Sequence, residues 1–151
     1  MKVTLRKAQS CDVDYLVHLR DVTMHDYLIE VGGDVSREAY ERNIMWKYEE
    51  AAQIIQVDGQ DAGFWRVVFE EDKDRYYLDL IQVHPDFHGI GVGGTLIRNL
   101  IEQAQPEGKD VALSVWKINL AAQRLYEKLG FVVCGEDGDE WLLKYQKEIF
   151  D

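Results

Sequence analysis

The chain has 151 residues, 46% of them hydrophobic and 30% charged, a balance that fits one soluble globular domain spanning 1–151. A formal net charge of −11 argues against a nucleic-acid partner, whose phosphates require Lys and Arg; it either attracts cationic small molecules or basic peptides or serves only to keep the chain in solution. No apolar run approaches the roughly 20 residues that cross a bilayer, which argues against a membrane partner.

Met1-Lys2-Val3-Thr4-Leu5-Arg6 reaches charge too early for a signal peptide, and Cys11 and Cys134 are too few for a disulfide framework, so a cytoplasmic setting is expected. Val3-Thr4-Leu5-Arg6 alternates as a strand does. Asp12 reads as the N-cap of a helix that buries Val13, Leu16, Val17 and Leu19. Val31-Gly32-Gly33-Asp34 interrupts, and Ser36 opens a second helix running through Tyr40, Ile44 and Tyr48. Gln53–Val57 and Gly63–Phe69 flank Asp58-Gly59, a hairpin signal. After the solvated turn Glu70–Asp74, a third run, Tyr76–Val83, is stopped by Pro85. Beyond a glycine-rich stretch, Leu96, Ile97, Leu100, Ile101 and Ala104 share one helix face, ended by Pro106 and Gly108. Val111–Trp116 is the next strand. Asn119 caps a last helix with the stripe Ala122, Leu125, Tyr126 and Leu129, and Gly130 suits a left-handed stop onto which Phe131 folds back. Val132-Val133-Cys134 and Trp141-Leu142-Leu143 flank Asp137-Gly138 as a closing hairpin, completing a mixed α/β sheet.

Gly89, Gly91, Gly93 and Gly94 admit positive φ and clear the approach of a ligand. Their N–H groups, continued by the free amides of a helix starting near Thr95, make an anion site suited to a pyrophosphate. A tight strand-to-helix turn without a ligand would use the same residues. A Walker loop needs a lysine where Thr95-Leu96 follow Gly94. A dinucleotide fold needs an acidic residue at the end of the next strand to hold the ribose, and Asp110 begins that strand instead. Coenzyme A is the third candidate.

Val83-His84-Pro85-Asp86-Phe87-His88-Gly89-Ile90-Gly91-Val92-Gly93 resembles the acetyl-CoA motif of the GNAT superfamily of N-acetyltransferases, Gln/Arg-Gly-x-Gly-x-Gly/Ala after a strand ending Val-x-Pro. Asn119 to Phe131 resembles that family's Asn-x-x-Ala-x-x-Leu-Tyr-x-x-x-Gly-Phe block, and Leu5-Arg6-Lys7-Ala8 with Asp12 its N-terminal pattern. The likeness is thinnest from Thr23 to Glu50. It implies an α/β GNAT fold, with a central, mostly antiparallel sheet splayed between its fourth and fifth strands and flanked by helices. It also implies an acyltransferase that moves an acetyl group from acetyl-CoA to a primary amine of a small molecule or peptide. The cosubstrate would be held by Ile81, Val83, His88, Gly89, Ile90, Gly91, Val92, Gly93, Gly94, Thr95 and Asn119, with the Val83 N–H polarising the thioester carbonyl. By analogy with the family alone, the late strands would support a homodimer.

Tyr126 matches the family tyrosine that protonates the departing thiolate, and a phenol of pKa about 10 is a competent donor. Asp79 shares a strand face with Ile81 and Val83, where it would take the amine proton through a water or anchor the ammonium; Glu70 and His84 are weaker bases. His88 stands where relatives carry Gln or Arg and adds a charge only when protonated, so coenzyme A binding with some pH sensitivity is expected. Trp116 is the best aromatic for the acceptor channel, and Arg98, Arg124 and Lys128 are candidates for the 3′-phosphate. His18, His25, His84 and His88 show no metal-ligand spacing, so no metal is expected. Two rivals share this pattern: a module of the same fold that binds acyl-CoA without turnover, and an enzyme for longer acyl chains.

Overall fold

In the computed structural model, which describes residues 1–146, the hairpin signal at Asp58-Gly59 is realised with φ of 50° and 84°, the left-handed pair of a type I′ turn. It joins Ala52–Val57 (β2) to Gln60–Glu70 (β3), and Val3–Lys7 (β1) pairs antiparallel with β2, Leu5 opposite Ile55. Arg75–Val83 (β4), Asp110–Trp116 (β5), Phe131–Asp137 (β6) and Glu140–Tyr145 (β7) complete a mostly antiparallel seven-stranded sheet in the order β1-β2-β3-β4-β5-β7-β6. The parallel ladder between β4 and β5 covers only Arg75–Leu78 against Asp110–Leu113 and stops there, although β4 continues to Val83 and β5 to Trp116. The fourth and fifth strands are thus paired over less than half of β4.

The chain divides into two compact units, Met1–Val67 with Leu80–Gly93, and Val68–Asp79 with the chain from Gly94. In the first, Leu16 and Leu19 of Val13–Glu30 (α1) pack with Ile44 of Arg37–Met45 (α2), Tyr48 of Tyr48–Ala51 (α3), Ile54 and Phe64, and Leu80 closes over them. In the second, Val92–Ala104 (α4), which begins in the first unit, buries Leu96, Ile97, Leu100, Ile101 and Ala104 at 6% exposure or less. Each large side chain of that face contributes roughly 1.5–3 kcal/mol of burial. Leu120–Lys128 (α5) follows β5. Among the described residues no helix is long and apolar enough to cross a membrane, and no group of three or more His, Cys, Asp or Glu is placed to hold a metal.

Three local expectations need correction. The second helix does not run through Tyr48: it ends at Met45, Trp46 is extended, and Lys47 turns left-handed at φ 50°. The cause lies in β3, where fully buried Arg66 donates to the Ile44 and Trp46 carbonyls at 3.0 and 2.9 Å and so takes acceptors a continuing helix would need. In α5, Leu125 is 36% exposed, so the buried stripe narrows to Tyr126. Asp12 does not cap α1 with its side chain. Its carboxylate instead accepts from the Gln9 N–H at 2.7 Å and from the Arg6 guanidinium at 2.8 and 3.0 Å, and Arg6 also holds Asp61.

Arg6 keeps the Asp12 carboxyl below its ordinary value of 3.8 by hydrogen bonding, against the opposing effect of burial. A carboxyl lowered in the folded state stabilises fully above the unfolded value and loses that contribution as pH falls, because the unfolded chain takes up the proton first. Asp12→Asn is therefore expected to cost about 2 kcal/mol at neutral pH, with the gap from wild type closing below pH 3.8. Urea unfolding of both proteins at several pH values measures it; a gap that stays constant into acid would contradict the assignment.

Candidate functional site

The end of β4 and the glycine loop lie in the first unit. His84 extends the strand, its N–H donating to the Ala62 carbonyl at 2.8 Å. Pro85–Phe87 then forms one 3-10 turn, braced by the Asp86 N–H donating to His84 Nδ1 at 3.1 Å. That contact engages His84 as a turn cap. His88 closes the turn, with its Nε2 at 2.6 Å from the Val83 carbonyl oxygen. Gly89 and Gly91 take φ of 78° and 85°, and a Cβ at either would meet nothing within 4 Å, so both are open to a ligand. Ile90 between them is 49% exposed.

The helix begins earlier than expected, at Val92 and not near Thr95. Gly93 and Gly94 therefore sit in its first turn and, unlike Gly89 and Gly91, do not use positive φ. The free amides of α4 start directly after Gly91, which shortens the loop and brings the helix N-terminus to it. In the first unit the fold thus gathers Ile81, Val83, His88, Gly89, Ile90, Gly91, Val92 and Gly93 along one continuous stretch.

The second unit holds Asp79, Gly94, Thr95, Asn119 and Tyr126. Asn119 caps α5 as expected, its Oδ1 accepting from the Ala122 N–H at 3.2 Å. Gly130 stops that helix at φ 103°, and Phe131 folds back edge-on to the Tyr126 ring, centroids 6.2 Å apart. Tyr126 is 7% exposed, and burial pushes its hydroxyl up to about 12. Arg98, Arg124 and Lys128 are exposed. Of the weaker bases, Glu70 accepts from Arg75 Nε at 2.7 Å and is an ion-pair partner.

Asp79 is half-buried on β4, and its charge helps raise both Tyr77 and Glu140. Those two line a cavity of about 300 Å³ on this sheet face, which the sequence did not reveal. Its floor is the Tyr77 hydroxyl hydrogen-bonded to Ser114 at 2.5 Å. The Glu140 carboxyl is pushed up, first by burial and then by Asp137, Asp79 and Asp139. Glu140 comes here because β7 lies between β5 and β6, setting it opposite Trp116 on one side and Asp137 on the other. No local signal in Asp139-Glu140-Trp141 announces that pairing.

The sequence profile of the acetyltransferase (GNAT) family matches residues 17–131. Streptothricin acetyltransferase of Streptomyces lavendulae is 32% identical over 84 residues, which covers 55% of this chain and 44% of that protein. The chain therefore corresponds to less than half of that relative. An uncharacterized N-acetyltransferase of Archaeoglobus fulgidus is 27% identical over 81% of this chain and 88% of its own length. Among solved structures, PaiA N-acetyltransferase from Thermoplasma acidophilum, in complex with coenzyme A, superposes with a TM-score of 0.76 at 17% identity, covering 97% of this chain and all of that one. At that identity the likeness establishes the fold.

Proposed function

The chain belongs to the acetyltransferase (GNAT) family, and from that membership we propose that it transfers an acetyl group from acetyl-CoA to a primary amine. The observation that carries this reading is the loop itself: Gly89 and Gly91 in left-handed conformation, open to solvent, and leading straight into the N-terminus of α4. Such a stretch turns N–H groups outward and is suited to a pyrophosphate. The proposed cosubstrate contacts are the backbone of Ile81 and Val83, the stretch His88 to Thr95, and Asn119. The family match, running from 17 to 131, passes through both units, which favours treating 1–151 as one acetyltransferase domain.

In this reading the amine nitrogen attacks the thioester carbonyl carbon, and the C–N bond forms as the C–S bond breaks. Asp79 takes the proton shed by the nitrogen, through a water, and Tyr126 gives its phenolic proton to the departing sulfur. A cationic acceptor is favoured by the net charge of −11 and by the cavity's lining, in which Glu70, Glu136, Asp137 and Glu140 outnumber Lys73 and Arg75. Thiol release from acetyl-CoA across a panel of small amines and peptide N-termini tests the proposal. Acceptor-dependent release, with the acetylated amine identified by mass, is expected. Tight coenzyme A binding without any acceptor-dependent release would replace it with the non-catalytic sensor.

A further inference from the structure

We propose that His88 acts as a clasp that holds the glycine loop on the end of β4, a positioning role, and not as a charge facing a phosphate. A carbonyl oxygen only accepts, so the 2.6 Å contact with Val83 requires a proton on His88 Nε2 and directs the ring back towards the strand. The clasp spans the 3-10 turn Pro85–Phe87, whose own bonds, Phe87 N–H to the His84 carbonyl and His88 N–H to the Pro85 carbonyl, measure 2.9 and 3.1 Å. The turn and the clasp together tie the residue preceding Gly89 to a strand that is itself anchored through His84 and Ala62.

The loop needs such a hold. Nothing stands within 4 Å of where a Cβ of Gly89 or Gly91 would be, so neighbouring side chains do not wedge these two residues in place. Glycine also loses the most backbone freedom on ordering. A loop held from its stem before the ligand arrives spares that entropy at binding, which appears as affinity. His88, itself exposed, thus replaces the family's Gln or Arg with a side chain whose donor is turned back onto the end of β4. This differs from the pH-sensitive charge expected from the sequence: Nε2–H donates to Val83 in the neutral tautomer and in the imidazolium alike.

The role rests on the acetyl-CoA reading for its consequence but not for its detection. In the ligand-free protein, the long-range imidazole ¹H–¹⁵N spectrum should show His88 protonated at Nε2, and amide exchange at Gly89 to Gly91 should quicken about tenfold in His88→Ala. His88→Gln, which keeps a side-chain N–H donor, should restore slow exchange, and His88→Phe should not. With acetyl-CoA, the KM of His88→Ala should rise about tenfold at unchanged kcat and melting temperature, and His88→Gln should return within about twofold of wild type. Unchanged exchange in His88→Ala overturns the clasp. So does affinity that strengthens on acidification and is lost equally in the Ala and Gln variants, the mark of a charge. A wild-type protein that binds no coenzyme A would defeat the functional reading, while the exchange measurement would still judge the clasp.

Discussion

Tyr126→Phe is expected to lower kcat for acetyl transfer by about a hundredfold or more, with the acetyl-CoA KM within about twofold of wild type. The substitution keeps the aromatic ring that packs edge-on to Phe131 and removes only the hydroxyl. Stability should therefore change little. The hydroxyl is protonated at neutral pH already at its ordinary value of 10, and burial pushes it further up, to about 12. A group in that state has a proton to give, and desolvation at the point of transfer would raise the basicity of a thiolate as well. Steady-state kinetics of both proteins, with circular dichroism to confirm the fold, measures the effect. A variant that turns over at the wild-type rate would leave Tyr126 as a core residue of α5 and remove it from the chemistry.

The largest loss of stability is expected from Gly63→Ala. A Cβ at Gly63 would stand 2.2 Å from the Gln82 carbonyl oxygen and 3.1 Å from Ile55 Cδ1. The first of these is backbone, so no rotamer change relieves it, and the strand must move. The cost is about 3 kcal/mol or more, a fall in melting temperature of roughly 6–12 °C for a chain of this size. Gln82 precedes Val83, so displacement there should also weaken coenzyme A binding if the proposed contacts hold. Gly135→Ala is the control: a Cβ there meets Leu142 no closer than 3.8 Å, and its cost should be well under 1 kcal/mol. Equal melting temperatures for the two variants would show that β3 and β4 have slack at this point.

Gly63 illustrates what was not legible. In the sequence it is one glycine opening an apolar run; its role depends on the Gln82 backbone, nineteen positions on, approaching to within contact. Arg66 is similar, since ending α2 at Met45 takes a guanidinium from a strand that follows it. Asp12 was recognisable as a residue suited to a helix start, but Arg6 and Gln9 compete for its oxygens and win. By contrast the Asp58-Gly59 turn, the Ser36 cap of α2, the Asn119 cap of α5 and the Gly130 stop were all readable, and the structure has them where expected. Each of those is decided by bonds within four or five residues of chain.

The sequence alone determined the order of elements, the position of the glycine-rich stretch and, through two separated motifs, the acetyltransferase family. Local dihedral preferences and capping bonds suffice for that. Only the structure decided that Gly89 and Gly91, and not Gly93 and Gly94, use left-handed backbone, that His88 folds back onto Val83, and that Glu140 joins Asp79 beside a cavity. Glu140 is placed by strand pairing between segments far apart in the chain, whereas the loop geometry follows from α4 starting at Val92 and from the contact of His88 with Val83. A carboxylate's neighbours are set by the strands the fold places beside it, and no stretch of sequence around Glu140 contains them.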